Sequence, residues 1–110
     1  MSPKPGDVYV AQVDYGAASY PRPCIILGLY PNGRYMVAPI SSKMDLYEEN
    51  SADHVRFSRA DPGFDSSGLD RESYADLGDI LEIDSKQLMQ PIGKLRGDLL
   101  ASIEKALGPL

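Results

Sequence analysis

Apolar positions in this chain come in short runs divided by Gly, Pro and acidic residues, a spacing that predicts strands along most of its length. Residues 7–13 (DVYVAQV) are β-branched and aromatic enough for a strand. Residues 14–21 (DYGAASYP) break that pattern with Gly, small side chains and Pro, and predict a loop. Pro23 can open the next strand, because a first residue need not donate to the ladder. Behind it, residues 24–29 (CIILGL) are apolar on both faces, which predicts a central strand in a closed or covered sheet. Tyr30-Pro31-Asn32-Gly33-Arg34 predicts a tight turn, since Pro presets one φ and Asn-Gly readily takes positive φ. It joins the central strand to residues 35–40 (YMVAPI) as a hairpin.

The polar stretch 41–53 predicts a flexible loop, and residues 54–58 (HVRFS) alternate well enough for another strand. A second loop follows over 60–68, then a short strand at 80–83 and a further one at Leu88-Met89. Helical spacing occurs once, in Leu99, Leu100, Ile103, Ala106 and Leu107, with Asp98 near the start and Gly108-Pro109 as the stop. Five or six short strands in 110 residues must cover their edges. The expected architecture is therefore mostly β, a small barrel with a C-terminal α-helix packed alongside, as one domain over residues 1–110.

Composition narrows the setting. At 43% hydrophobic the chain is ordinary for a globular protein, and its longest apolar run is far too short to span a bilayer. The N-terminus lacks the apolar stretch of a signal peptide. The one cysteine lies in the apolar run, which predicts a buried, inert thiol and suits a reducing cytoplasm. The net charge is −5, unusual for a nucleic-acid binder, but unevenly spread. Residues 60–86 hold eight acids against Arg71 and Lys86, whereas residues 22–59 hold five bases against four acids. The latter block can present a locally basic face; the acidic one faces solvent or a basic partner.

Several chemistries are excluded by residue type. One His and one Cys cannot supply a metal cluster, and neither a Gly-x-Ser-x-Gly elbow nor a P-loop occurs, so no metal or cofactor is expected. His54 is either catalytic or an edge histidine of its strand. Arg22 is distinctive because it stands between Pro21 and Pro23, which restrict its backbone. Such an arginine either merely begins a strand or presents a rigid guanidinium to phosphate or carboxylate.

The order of features adds to this. Gly6-Asp7-Val8 is followed by Arg22-Pro23 with an apolar strand, then by Ala38-Pro39-Ile40-Ser41-Ser42 and by Gly68-Leu69 with Ser73 downstream. Next come Gly78-Asp79-Ile80-Leu81-Glu82-Ile83-Asp84, Gln87-Leu88, and Ile92-Gly93-Lys94-Leu95 ahead of the helix. From Gly6 to Leu107 this order resembles the MazF/PemK family of bacterial toxin endoribonucleases, the mRNA interferases.

The resemblance implies an SH3-like barrel with a terminal helix, a homodimer, and metal-independent cleavage of single-stranded RNA through the RNA's own 2′-hydroxyl. It implies Arg22 as the catalytic arginine, exchanging a proton or stabilising the phosphorane-like transition state. Ser41 would donate a hydrogen bond to a non-bridging oxygen. A cognate antitoxin is the implied protein partner, its segment occupying the RNA groove. Ser42 and Lys43 are expected beside the substrate, and Tyr15 and Tyr20 either stack on bases or pack within their loop. The stretch ahead of Arg22 is shorter than in many members and lacks their Gly-Ser-Glu-Gln-type run, and Ser41 stands where Thr is commoner. Two readings stay open: an active endoribonuclease toxin, or a non-catalytic barrel of the same fold that serves as a binding or regulatory module.

Overall fold

The computed structural model describes residues 2–15 and 18–107. Strands β1 (Asp7–Tyr15), β2 (Ala18–Leu29) and β3 (Tyr35–Ser41) form the centre of one antiparallel sheet. Strands β4 (His54–Phe57), β5 (Ser73–Asp76), β6 (Leu81–Ile83) and β7 (Leu88–Lys94) complete it, and α1 (Gly97–Leu107) follows. The strand order is β4-β5-β3-β2-β1-β7, with β6 also paired to β3. The mostly β architecture with one C-terminal helix is the expected one. The sheet is open, since among the described residues its end strands β4 and β7 do not pair, and it curls around its core instead of closing through a ladder.

Two-sided burial of β2 makes the curl possible. Ile25 and Leu27 enter a cluster with Val8, Ala38, Phe57 and Ala75, which Leu99 and Ile103 of α1 cover. Cys24 and Ile26 point the other way, to Ala11, Val13, Val37 and Ile83. Alternate side chains of one strand thus feed two cores, as a run apolar on both faces should. Each fully buried Ile contributes roughly 1.5–3 kcal/mol relative to exposure. Leu29, the end of that run, is instead 63% exposed, beyond a register shift between Ile26 and Gly28. On α1 the buried positions are Leu99 and Ile103, while Ala106 and Leu107 are exposed; Gly108-Pro109 lie outside the described residues.

Residues 14–15 and 18–21 are strand where the sequence pattern predicts a loop; the part of that expectation on residues 16–17 lies outside the described residues. β1 runs on to Tyr15 and β2 begins at Ala18, with Asp14 opposite Ser19, Val13 opposite Tyr20 and Gln12 opposite Pro21. Pairing with an already formed β1 overrides local composition. Two prolines are tolerated there because β2 outruns β3, whose first partner is Pro39 opposite Cys24. Pro39 has no N–H to give Cys24, so the backbone groups of Cys24 serve β1. Alternation then turns those of Pro21 and Pro23 away from β1, where a missing N–H costs no ladder bond.

The remaining elements sharpen the sequence reading. Gly33 donates its N–H to the Tyr30 carbonyl at 2.9 Å, closing the turn, and takes φ +85°. Single 3₁₀ turns at Met44–Leu46 and Asp65–Ser67 interrupt the two expected loops. β5 has no counterpart in the sequence reading, and β7 extends from Leu88 to Lys94 with Pro91 on an edge strand. Gly68 and Gly93 let two backbones meet. A Cβ on Gly93 would lie 2.3 Å from the Ser67 carbonyl carbon, and one on Gly68 2.0 Å from the Ile92 oxygen.

Cys24 is fully buried, and burial pushes its thiol up to about 12, against a smaller opposing pull from the Arg22 charge. The folded protein is expected to leave Cys24 unlabelled by a thiol-reactive dye at pH 8 and the denatured chain to react at once. Rapid labelling of the native protein would contradict this burial.

Candidate functional site

The overhang of β2 and the end of β3 meet beside the start of β5. Cys24 faces Pro39, and two residues further along each strand stand Arg22 and Ser41. Ser41 in turn faces Tyr74 of β5. Two adjoining cavities result, of about 220 and 340 Å³, and Arg22, Ser41 and Lys43 line both. Ser42 lines the first cavity and Tyr20 the second. Of the residues the family resemblance implies for catalysis or substrate contact, Tyr15 alone is not among these. Its backbone sits opposite Ala18 at the far end of the hairpin, and its side chain lies outside the described residues.

Ser41 is held for donation. Its Oγ accepts the Lys43 N–H at 3.1 Å, which fixes the oxygen and leaves the hydroxyl proton to be given elsewhere. The Arg22 guanidinium, half-buried, enters from a backbone fixed by two prolines and by pairing with Ala11. Arg71 also lines the first cavity, its Nε donating to Asp70 Oδ1 at 3.2 Å, with Leu69 and Ser73 beside the pair. A cavity with two guanidinium groups, an ammonium and a poised hydroxyl can bind a phosphodiester and stabilise added charge on it.

The expected basic face is smaller than the sequence suggested. Arg34 pairs with Glu82 at 3.4 Å, and Arg56 with Glu72 at 3.2 Å. Arg59 donates to the Asp70 carbonyl. Of the five bases in residues 22–59, only Arg22 and Lys43 line the cavities. Part of the acidic block faces them, through Asp70 in one and Asp76 and Asp79 in the other.

Glu72 anchors the segment that carries Asp70 and Arg71. It accepts the Arg59 N–H and the Ser58 hydroxyl on Oε1, each at 3.2 Å, and the Arg56 guanidinium on Oε2. The Arg59 backbone N–H above all, then these side chains, hold its carboxyl below the usual range. A lowered folded value means this stabilisation is complete above the ordinary value of about 4.3 and is lost as pH falls through the folded one. Glu72→Gln is therefore expected to flatten the acid limb of a urea-midpoint profile below pH 5. An unchanged acid limb would count against this role.

His54 is neither exposed nor aimed into the cavities. Its Nδ1 accepts the Glu48 N–H at 3.0 Å, so the ring proton sits on Nε2, which is 3.8 Å from Asp76 Oδ2. Tyr74 tilts against the ring with centroids 4.7 Å apart, and Tyr47 stacks on it at 6.0 Å. Sequence reasoning missed Tyr74 and Asp76 because β5 carries no alternating pattern. It also passed over Arg71, though a lone base among acids was a usable signal. Among the described residues no three His, Cys, Asp or Glu side chains converge to hold a metal, and no helix is long and apolar enough to cross a membrane.

A family model described as PemK-like, MazF-like toxin of type II toxin-antitoxin system matches residues 4–110. Curated proteins gave no sequence match. Among solved structures, one similar chain is the Mycobacterium tuberculosis toxin MazF-mt6. It is 21% identical with a TM-score of 0.67, over 93% of this chain and 92% of that one. Another is an endoribonuclease in complex with its cognate antitoxin from Mycobacterial species. It is 17% identical with a TM-score of 0.65, over 96% of this chain and 88% of that one. At these identities the two structures establish the fold.

Proposed function

Because the chain belongs to the PemK-like, MazF-like toxin family of type II toxin-antitoxin systems, we propose that it is a metal-independent endoribonuclease acting on single-stranded RNA. The observation that carries this reading is the convergence of Arg22 and Ser41, from two strands, on cavities they share with Lys43. In the proposed reaction the 2′-oxygen attacks the adjacent phosphorus while its proton is withdrawn. The bond from phosphorus to the 5′-oxygen breaks, and that oxygen takes up a proton. The products are a 2′,3′-cyclic phosphate and a 5′-hydroxyl.

Arg22 would neutralise charge on the phosphorane-like transition state or exchange a proton there, and Ser41 would donate to a non-bridging oxygen. Donors preorganised toward developing charge supply such stabilisation without reorganising at the moment of reaction. Lys43, Ser42 and Arg71 would hold the backbone, with Tyr20 available for stacking. The same reading includes a cytoplasmic homodimer and a cognate antitoxin whose segment fills the groove.

The test is incubation with a long single-stranded RNA in EDTA and mapping of the ends. Fragments ending in 2′,3′-cyclic phosphate are expected. RNA that stays intact, together with no growth arrest on expression, would overturn the reading in favour of a non-catalytic binding module.

A further inference from the structure

The second cavity holds a chemical contradiction for a groove that takes a polyanion: Asp76 and Asp79 line it together with Arg22 and Lys43. Carboxylates repel phosphate, so a group that settles against this wall does best by presenting hydrogen-bond donors. The same cavity has two large, uncovered side chains, Tyr20 at 51% and Leu46 at 56% exposure, which offer a face for a flat ring. In RNA the group that is flat, apolar on its faces and donor-bearing on its edge is the base.

Asp76 is built as a fixed acceptor. Its Oδ1 accepts the Gly78 N–H at 2.9 Å, and its Oδ2 lies 3.8 Å from His54 Nε2. His54 is itself held by the Glu48 N–H and the Tyr74 ring. A carboxylate offers about four lone-pair directions, so both oxygens still accept from a ligand. Cytosine N4, adenine N6, and guanine N1 and N2 all donate from the Watson–Crick edge. Uracil has one donor there, flanked by two carbonyl oxygens that a carboxylate repels.

We infer that the cavity of Tyr20, Leu46, Tyr74, Asp76 and Asp79 is a base-reading subsite that accepts an amino-bearing base next to the scissile phosphate and rejects uracil. This rests on the endoribonuclease reading and names the substrate feature that reading leaves open. Asp76 is the specificity-determining acceptor, and His54 is a positioning residue that acts through it.

Binding of uncleavable strands tests this apart from catalysis. Fluorescence anisotropy would compare an all-dU heptamer with heptamers carrying one central dC, dA or dG. About tenfold tighter binding of the amino-bearing strands is expected. Asp76→Asn should bring the ratio within twofold, because its amide also donates to uracil carbonyls. His54→Phe keeps the ring volume and should narrow the ratio, whereas His54→Gln, which restores an Nε2 donor, should recover it. Asp79→Asn serves as the second carboxylate variant if Asp76→Asn loses its folded circular dichroism.

Equal binding of dU and dC strands, no binding of any strand, or a preference untouched by the carboxylate variants would overturn the subsite. So would an Asp76→Asn protein that slows cleavage of all RNA sequences equally and keeps the preference, since Asp76 would then belong to the proton-transfer machinery. A preference with the expected variant behaviour but no RNA cleavage leaves the subsite standing and removes the endoribonuclease reading instead.

Discussion

Arg22→Ala is expected to lower RNA cleavage by about 10³-fold or more while leaving the melting temperature within a few degrees of the parent. The magnitude follows from removing a guanidinium aimed at transition-state charge, which costs on the order of 10²–10³ for one hydrogen-bond donor and more for an arginine on a phosphoryl group. Stability should hardly move, because Arg22 is half-buried at the cavity wall and the cores lie behind Cys24 and Ile25. Arg22→Lys separates two uses of the side chain. If charge alone matters, lysine restores much of the rate; if the planar fork is needed on the phosphate, lysine stays near alanine. A rate loss below tenfold for Arg22→Ala in EDTA, measured by single-turnover cleavage of a labelled strand, would sink the assignment of Arg22.

Gly93→Ala is expected to be among the most damaging single methyls in the protein, through backbone overlap alone and without the positive φ that Gly68 adds to its own close approach. The added carbon would meet the carbonyl carbon of Ser67 at 2.3 Å and the oxygen of Ser66 at 2.4 Å, and backbone cannot swing aside as a side chain can. A cost of about 3 kcal/mol or more is expected, a large share of the 5–15 kcal/mol typical of a domain. In a chain of this length it corresponds to a melting point roughly 12–24 °C lower. Gly33→Ala is the control. Nothing lies within 4 Å of its added carbon, so only the strain of φ +85° remains, about 1–2 kcal/mol. Equal losses for the two variants in thermal denaturation would show that close approach at Gly93 is not the cause. The damage should reach function as well, since Ser66 and Ser67 lead into the segment carrying Leu69, Asp70 and Arg71 at the first cavity.

The parts of this fold visible in sequence are those whose signal is local. The apolar run of β2, the Pro-Asn-Gly turn and the spacing of α1 each declare themselves within a few residues. The pairing of residues 14–15 with 18–19, and of 20–21 with β1, does not, because Ala, Ser, Tyr and Pro describe a loop until a partner strand fixes their register. β5 failed for a related reason: Ser73–Asp76 is short, mixed in character, and buried by contact with β3 and β4 instead of by its own pattern.

The candidate site divides along the same line. Arg22 and Ser41 were legible because a rigid arginine and a strand-end hydroxyl occur in an order shared with a known family, and Ser42 and Lys43 follow by adjacency. Tyr74 and Asp76 enter the cavity only through the pairing of β5 with β3, a contact between distant segments that no window of sequence contains. Charge was the least legible property. Arg34 and Arg56 look like groove cations in the sequence and are engaged by Glu82 and Glu72 in the folded protein.

The stretch of β2 that overhangs β3 has a consequence for any molecule that settles there. An exposed strand flank is ordinarily a template on which a further strand can assemble, using alternating N–H and carbonyl groups. Here the outward-facing positions on either side of Arg22 are Pro21 and Pro23, so this part of the flank offers carbonyls and no backbone donors. A peptide laid along it finds half a ladder. The rim beside Arg22 is thereby closed to backbone zippering, whether by another copy misassembling or by a partner's extended segment, and recognition along this rim falls to side chains.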